Sequence, residues 1–126
     1  MGLRKSMAKV KRTRNAGTMT ESMYWSKVRS ELRRAFRYWK PMQKAKEEAR
    51  RKNQSENKRL KYEYQCNHCD SWYPDKDIEI DHIVPVGSLR CADDLVGFLE
   101  RLTVEDGFQV LCKECHQIKT NKERRK

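Results

Sequence analysis

The first half of the 126-residue chain carries its hydrophobic residues at helical spacing. They advance in alternating steps of three and four residues, the period of an amphipathic helix. The series is Trp25, Val28, Leu32, Ala35, Trp39 and Met42. Thr18 and Glu21 have the spacing of a capping box and predict where this helix begins. Pro41 predicts its end or a kink, because proline lacks an N–H and crowds the preceding turn.

The segments around this helix lack a hydrophobic period. Residues 1–17 are basic and predict a disordered arm. Residues 42–52 combine strong helix formers with almost no apolar face, which predicts a second, exposed helix. Residues 53–57 are polar and predict a linker. We therefore divide the chain into a basic tail with a helical arm, residues 1–57, and a second domain, residues 58–126.

After the linker the pattern changes to the alternation of β-strands. Tyr62 and Tyr64 alternate with polar residues and predict a strand that leads into a pair of cysteines. Residues 71–75 predict a turn. Over residues 78–81 isoleucine alternates with acidic residues, as in a half-buried strand that delivers Asp81 and His82 at its end.

The remainder of the chain predicts a helix, a strand and a helix. Leucine and valine recur at helical spacing between residues 92 and 103, so we expect a helix inserted in a loop. Residues 108–111 predict a second strand, and residues 113–124 predict a final helix. The predicted fold class is α+β.

Charge divides the chain at nearly the same place as the pattern does. Residues 1–61 hold 20 Lys and Arg against 5 Asp and Glu, a net of +15, whereas residues 62–126 hold 9 against 13, a net of −4. The basic half predicts a polyanionic partner, DNA or RNA, because lysine and arginine neutralise phosphate. A solubilising or ribosome-associating arm is the alternative. Arg29, Arg33 and Arg37 form a column beside the apolar stripe and are candidates for nucleic-acid binding.

Four of the five cysteines form two CxxC pairs. They are Cys66, Cys69, Cys112 and Cys115. No apolar run resembles a signal peptide or a membrane span, so we expect an intracellular protein whose paired cysteines bind metal. Equal charged and hydrophobic fractions of 37% favour a small core, which a structural zinc ion would supplement. Cys91 is predicted to be an ordinary thiol, and His68 to face solvent.

A carboxylate and two imidazoles lie within this cysteine framework. Asp81 is a hard ligand suited to Mg²⁺ or Mn²⁺, and a neutral His82 can deprotonate water. The dipeptide alone is equally compatible with a surface or capping pair. His116 directly follows the last cysteine, so a bound zinc ion would fix its backbone and let it face Asp81. Together the three residues predict a site for a catalytic cation that also binds phosphate.

The motifs in this order resemble those of the cysteine-containing HNH endonucleases, which have the ββα-metal fold. The resemblance covers residues 62–122 and consists of Cys-x-x-Cys, then Asp-His-Ile-x-Pro, then Leu-Cys-x-x-Cys-His-x-x-Lys-Thr. It is closest to small phage HNH proteins, which in some phages work with the terminase during DNA packaging. The fold that it implies is a small zinc-stapled ββα-metal domain preceded by a basic helical arm.

The resemblance also implies a role for each site residue. His82 corresponds to the general base that activates water, and Asp81 and His116 to the ligands of one catalytic Mg²⁺ or Mn²⁺ ion. The four paired cysteines correspond to the ligands of structural zinc, and Lys119 lies where a phosphate contact is expected.

One position departs from the family pattern. The family's middle Asn, which pins the loop that orients the base, is replaced by Gly107. We expect either that Asp106 bonds nearby backbone N–H groups in its place, or that activity is lower.

The function expected from these arguments is metal-dependent hydrolysis of DNA phosphodiester bonds, with terminase subunits as further partners. The alternative is a non-catalytic zinc-ribbon module. Such a module would bind nucleic acid, or bridge a phage protein complex through the stripe that contains Trp25 and Trp39.

Overall fold

The computed structural model describes residues 10–124 of the chain, which form a mixed α+β structure. The helices are α1 (Glu21–Ala35), α2 (Lys40–Glu48), α3 (Leu95–Leu102) and α4 (Lys113–Arg124). The strands are β1 (Arg12–Arg14), β2 (Met19–Thr20), β3 (Arg50–Lys52), β4 (Tyr62–Gln65), β5 (Trp72–Tyr73), β6 (Ile78–His82) and β7 (Phe108–Cys112). All strand pairs are antiparallel, in the orders β1-β2, β3-β4-β5 and β6-β7. Among the described helices none is long and apolar enough to cross a bilayer.

Helix α1 begins at a different cap from the one predicted. The side chain of Thr20 accepts a hydrogen bond from the N–H of Met23 at 3.1 Å, so Thr20 is the N-cap. The capping box predicted at Thr18 is wrong, because its hydroxyl donates instead to the carbonyl oxygen of Asn15 at 2.7 Å. The first turn therefore starts two residues later than the cap that the spacing suggested.

The residues before α1 are partly ordered by a tight turn. Asn15, Ala16 and Gly17 all have positive φ, and this turn lets β1 pair with β2. The disordered arm predicted over residues 1–17 is therefore wrong for residues 12–14, and its first nine residues lie outside the described part of the chain. Asparagine and glycine tolerate the left-handed region better than other residues do, which favours a turn here.

Helix α1 ends at Ala35, well before Pro41. Pro41 lies in the first turn of α2, where its missing N–H costs no hydrogen bond. The second predicted helix, residues 42–52, is confirmed only as far as Glu48. Residues 50–52 form β3 instead, paired residue by residue with β4.

The apolar stripe of α1 packs on the segment between β6 and β7. Trp25, Val28, Leu32 and Phe36 contact the cluster formed by Val86, Leu89, Phe98 and Leu102. Phe98 is completely buried at the centre of this cluster. Trp39 also points inward and donates from its indole to the carbonyl oxygen of Val104 at 2.8 Å. Contacts through this core and through the β3–β4 pairing thus cross the division predicted at residue 57.

The second half of the chain follows the predicted order with one addition. The strands over residues 62–65, 78–82 and 108–112 and both predicted helices are confirmed. The turn predicted over residues 71–75 is wrong at Trp72–Tyr73, which forms β5 against β4. In the β6–β7 pair Asp81 lies opposite Gln109, and α4 follows β7 without a loop.

Candidate functional site

The four paired cysteines come together in one cluster. Their sulfur atoms all lie within 4.8 Å of one another and could hold a metal ion such as zinc. Tetrahedral zinc with Zn–S bonds near 2.3 Å needs sulfur atoms about 3.8 Å apart, which this cluster can provide. Cys66 and Cys69 follow β4, Cys112 ends β7, and Cys115 lies in the first turn of α4. A bound metal would therefore join a strand end, a second strand and a helix.

Backbone hydrogen bonds shape the turn that presents the first pair. Asp70 has φ of 61° and donates its N–H to the carbonyl oxygen of Cys66 at 2.9 Å. Aspartate tolerates this left-handed conformation, which brings the chain back on itself after Cys69. In the second pair the N–H of Cys115 points at the sulfur of Cys112 at 3.4 Å. This contact stabilises a thiolate.

Two of the four thiols, Cys69 and Cys115, have pKa values shifted in opposite directions. The hydroxyl of Tyr73 lies 3.3 Å from the sulfur of Cys69 and lowers the pKa of that thiol to about 6. Hydrogen bonding to Cys112, followed by burial, raises the pKa of Cys115 to about 12. The thiolate of Cys69 thus forms readily, whereas the thiolate of Cys115 is disfavoured unless a cation compensates its charge. Metal binding should therefore release protons and weaken as the pH falls.

The other two residues noted near the cysteine motifs lie outside the cluster. His68 is exposed, with Nδ1 3.5 Å from the sulfur of Cys115. Cys91 is an exposed free thiol. Neither belongs to the group of four sulfur atoms.

The imidazole of His82 is held from behind by the end of α3. Its Nε2 lies 3.0 Å from the carbonyl oxygen of Leu102, one of the last carbonyls of that helix, which have no partner within the helix. A carbonyl oxygen only accepts, so Nε2 carries the hydrogen and Nδ1 is the basic nitrogen. The ring also packs edge-on against Phe108, with centroids 4.7 Å apart. The two contacts limit rotation of the imidazole.

The loop around Gly107 is fixed by its own backbone. Gly107 has φ of 108°, and its carbonyl oxygen accepts from the N–H of Ile83 at 2.9 Å. The carboxylate of Asp106 accepts from the N–H of Gly107 at 2.8 Å, as expected from the sequence. The orientation of His82 itself comes from Leu102, a contact that the sequence did not indicate.

His116 faces two carboxylates of β6. Its Nδ1 lies 2.5 Å from Glu79 and its Nε2 lies 3.5 Å from Oδ1 of Asp81. Glu79 and Asp81 are two residues apart and therefore share a face of the strand. With Nδ1 donating to Glu79, Nε2 is free to act as a ligand. Two ligands of one Mg²⁺ or Mn²⁺ ion, each about 2.1 Å from it, can span the separation between Nε2 and Oδ1.

Lys119 compensates the buried carboxylate of Asp81. Asp81 is only 7% exposed, and the ammonium of Lys119 lies 3.2 Å from its Oδ2. The same ammonium donates to the carbonyl oxygen of His82 at 3.1 Å and contacts Glu123. Burial opposes the charge of Lys119, but the hydrogen bonds to Glu123 and Asp81 outweigh it and raise its pKa. Lys119, expected at a phosphate, thus contacts acidic side chains here.

Asp81, His82 and His116 open onto one cleft of about 1030 Å³. Helix α1 contributes Arg29 and Arg33 to its lining, and α4 contributes Glu123 and Arg124. The third member of the predicted column, Arg37, lies beyond the end of α1 with its guanidinium 4.8 Å from the ring of Tyr38, outside the cleft lining. The docking of α1 therefore brings two of the three predicted arginines to the predicted catalytic residues.

Four partners of these residues were not predicted from the sequence. They are Glu79, Gln109, Glu123 and the carbonyl oxygen of Leu102. Glu79 could have been found from its two-residue spacing to Asp81, and Glu123 from its four-residue spacing to Lys119. Gln109 required the strand register, and a backbone carbonyl leaves no signal in a sequence.

Comparison of the chain with models of protein families, with curated proteins and with solved structures finds no match. The resemblance to HNH endonucleases therefore rests on the sequence motifs alone.

Removing metal from the cysteine cluster should destabilise the fold. Metal that bridges β4, β7 and α4 contributes directly to folding free energy. We expect chelation to lower the melting temperature by at least about 10 °C, since each kcal/mol corresponds to roughly 4 °C in a chain of this size. Circular dichroism melting and elemental analysis measure this, with Cys91→Ser as the control that keeps its metal. An unchanged melting temperature after metal removal would contradict the prediction.

Proposed function

We propose that this protein is a metal-dependent endonuclease of the HNH type that hydrolyses DNA phosphodiester bonds. The observation that carries the proposal is the shared cleft, which is lined by Asp81, His82 and His116 together with Arg29 and Arg33 and is large enough for a nucleotide phosphate. In this proposal zinc occupies the four cysteines. Mg²⁺ or Mn²⁺ binds between Asp81 and His116.

His82 is the proposed general base. Its Nδ1 is the nitrogen without a hydrogen, because Nε2 donates to Leu102. In that tautomer the ring can accept a proton from a water molecule positioned against the phosphorus atom. The fixed carbonyl behind the ring also stabilises the imidazolium that forms, since it accepts a stronger hydrogen bond from the charged ring.

Asp81 and His116 are the proposed ligands of the catalytic cation. Glu79 accepts from Nδ1 of His116 and so holds Nε2 towards the cleft, the arrangement in which a carboxylate orients a histidine ligand. A divalent cation bound there would supply positive charge to the phosphate and to the leaving 3′ oxygen. Lys119 already places one positive charge beside Asp81, where it offsets the negative charge of that buried carboxylate.

Arg29 and Arg33 are proposed to hold the substrate phosphates. No carboxylate among the described residues lies within ion-pair distance of either guanidinium, whereas the neighbouring Arg34 is paired with Glu31 at 3.3 Å. Arg33 is exposed to the cleft, yet the protein wall around it, together with the charge of Arg29, lowers its pKa. Two adjacent guanidinium groups without an acidic partner favour an anionic ligand.

The non-catalytic module is less well supported. Bridging a partner through the stripe that contains Trp25 and Trp39 requires that stripe to be available. Trp25 instead packs on the core cluster of α3, and Trp39 donates to Val104. A role beside phage terminase subunits is proposed on the motif resemblance alone.

Replacing the proposed base should abolish cleavage without unfolding the protein. We expect His82→Ala to reduce metal-dependent plasmid nicking by at least about 100-fold, the usual contribution of a general base. Metal content and DNA affinity should remain, because the cysteine cluster and the arginines are untouched. His68→Ala, which removes an exposed imidazole, is the matched control and should retain activity. Wild-type protein that cuts no DNA with Mg²⁺, Mn²⁺ or Ni²⁺ would contradict the proposal.

The arginines of the cleft should contribute to DNA binding, and the arginine beside them should not. We expect Arg29→Ala and Arg33→Ala each to reduce the slope of log K against log salt by about 0.9, the value for one lost phosphate contact. Arg34→Ala removes the same charge from the same helix but on a face paired with Glu31. Fluorescence anisotropy over a salt series measures the slopes. Equal changes of slope in all three variants would show that the net charge of the protein alone determines the salt dependence of DNA binding, which would contradict the prediction.

A further inference from the structure

A chain of side-chain hydrogen bonds joins the cysteine cluster to Asp81. The amide nitrogen of Asn67 donates to Oε1 of Gln109 at 2.8 Å. The amide nitrogen of Gln109 in turn donates to Oδ2 of Asp81 at 2.9 Å. Neither Asn67 nor Gln109 has a part in the chemistry described above.

The direction of this chain is set by chemistry. A carboxylate oxygen only accepts, so Gln109 must present its NH₂ group to Asp81. Its carbonyl oxygen then faces Asn67, which must present an NH₂ group in turn. The donor amide of Asn67 thus reinforces the orientation in which Gln109 donates to Oδ2 of Asp81.

Asn67 is itself held in place by the cysteine turn. It lies between Cys66 and Cys69, and its backbone N–H donates to the carbonyl oxygen of Val110 at 2.8 Å. Val110 is the strand neighbour of Gln109. Because Cys66 is completely buried and its turn is closed by hydrogen bonds, the side chain of Asn67 starts from a fixed backbone position.

The chain leaves the two oxygens of Asp81 with different roles. Oδ2 receives Gln109 and Lys119, whereas Oδ1 faces Nε2 of His116. Without Gln109, Oδ2 would keep only the ammonium of Lys119, which also bonds the carbonyl oxygen of His82 and Glu123. Gln109 is thus the contact that keeps Oδ1 turned towards His116.

We propose that Asn67 and Gln109 are positioning residues that orient Asp81 for a divalent cation, and that they couple the cysteine cluster to the cation site. This inference rests on the proposed function, because it takes Asp81 and His116 as ligands. Neither positioning residue contacts the cation or the substrate. Their effect passes through Asp81, as with other groups that orient metal ligands.

Asn67→Asp tests the proposal with almost no change of volume. An aspartate at this position cannot donate a hydrogen bond to Gln109. The carbonyl oxygen of Gln109 then faces either the new carboxylate or, if the amide turns over, the carboxylate of Asp81. A second variant, Gln109→Leu, removes the central amide of the chain. If this substitution inside β7 impairs folding, Asn67→Asp still tests the proposal. The probe is Mn²⁺ alone, titrated into protein loaded with zinc and without DNA, followed by electron paramagnetic resonance of free Mn²⁺.

The matched control is Gln65→Glu. Gln65 donates to the carbonyl oxygen of Asp70 at 3.1 Å, beside the same cysteine turn but not towards Asp81. The Gln65→Glu substitution adds the same negative charge as Asn67→Asp does. A charge effect alone would tighten Mn²⁺ binding in both variants, whereas loss of the positioning chain weakens it only in Asn67→Asp. The sign of the change therefore separates the two explanations.

We expect Asn67→Asp and Gln109→Leu to bind Mn²⁺ about 10- to 100-fold more weakly than wild type, with zinc content unchanged. Gln65→Glu should bind at least as tightly as wild type. Equal affinity in Asn67→Asp and wild type would overturn the inference. Wild-type protein that binds no Mn²⁺ would overturn both this inference and the proposed cation site. The expected affinities together with an absence of DNA cleavage would support the positioning chain and overturn the proposed nuclease activity alone.

Discussion

The register between β6 and β7 is the constraint on which the rest of the site depends. It places Asp81 opposite Gln109 and His82 opposite Phe108, and it ends with Cys112 opposite Ile78. Since side chains alternate across a strand, a slip of one residue would turn Asp81 away from His116 and bury His82 elsewhere. The same strand, β7, continues directly into Cys112 and α4, so the register also determines where Cys115 and His116 lie. One pairing therefore positions both the second cysteine pair and the candidate catalytic residues.

Helix α1 joins the rest of the structure by apolar contacts, whereas other residues of the basic half form ion pairs, Lys46 with Asp75 and Arg51 with Glu63. The apolar face of α1 supplies the contact, through Trp25, Leu32 and their neighbours, so its arginines are not consumed in ion pairs with the second domain. Within the cleft the acidic side chains have local partners: Asp81 pairs with the ammonium of Lys119, and Glu79 accepts a hydrogen bond from Nδ1 of His116. Arg29 and Arg33 line the same cleft and have no ion-pair partner among the described residues. This separation is what a site needs if it is to bind a cation and a polyanion at once.

Much of this arrangement follows from local patterns, and the remainder depends on tertiary contacts. Two CxxC pairs, the alternation before Asp81 and the helical spacing in residues 92–103 predicted the cysteine cluster and the elements of the second half. Thr18 failed as a cap because Thr20 is equally able to cap and lies nearer the hydrophobic stripe. Arg50–Lys52 and Trp72–Tyr73 were missed as strands because two or three residues carry no period, and their pairing with β4 decides their conformation. The role of Leu102 could not be predicted, since it acts through a carbonyl oxygen common to all residues.

The central claim is that Asp81, His82 and His116 form a site for a divalent cation separate from the cysteine cluster. Anomalous diffraction from crystals of the zinc-loaded protein soaked in Mn²⁺ tests it most directly, because data at the two absorption edges distinguish the metals. The account predicts a zinc peak among the four sulfur atoms and a manganese peak in contact with Oδ1 of Asp81 and Nε2 of His116. Zinc at the cysteines with no manganese between Asp81 and His116 would contradict it.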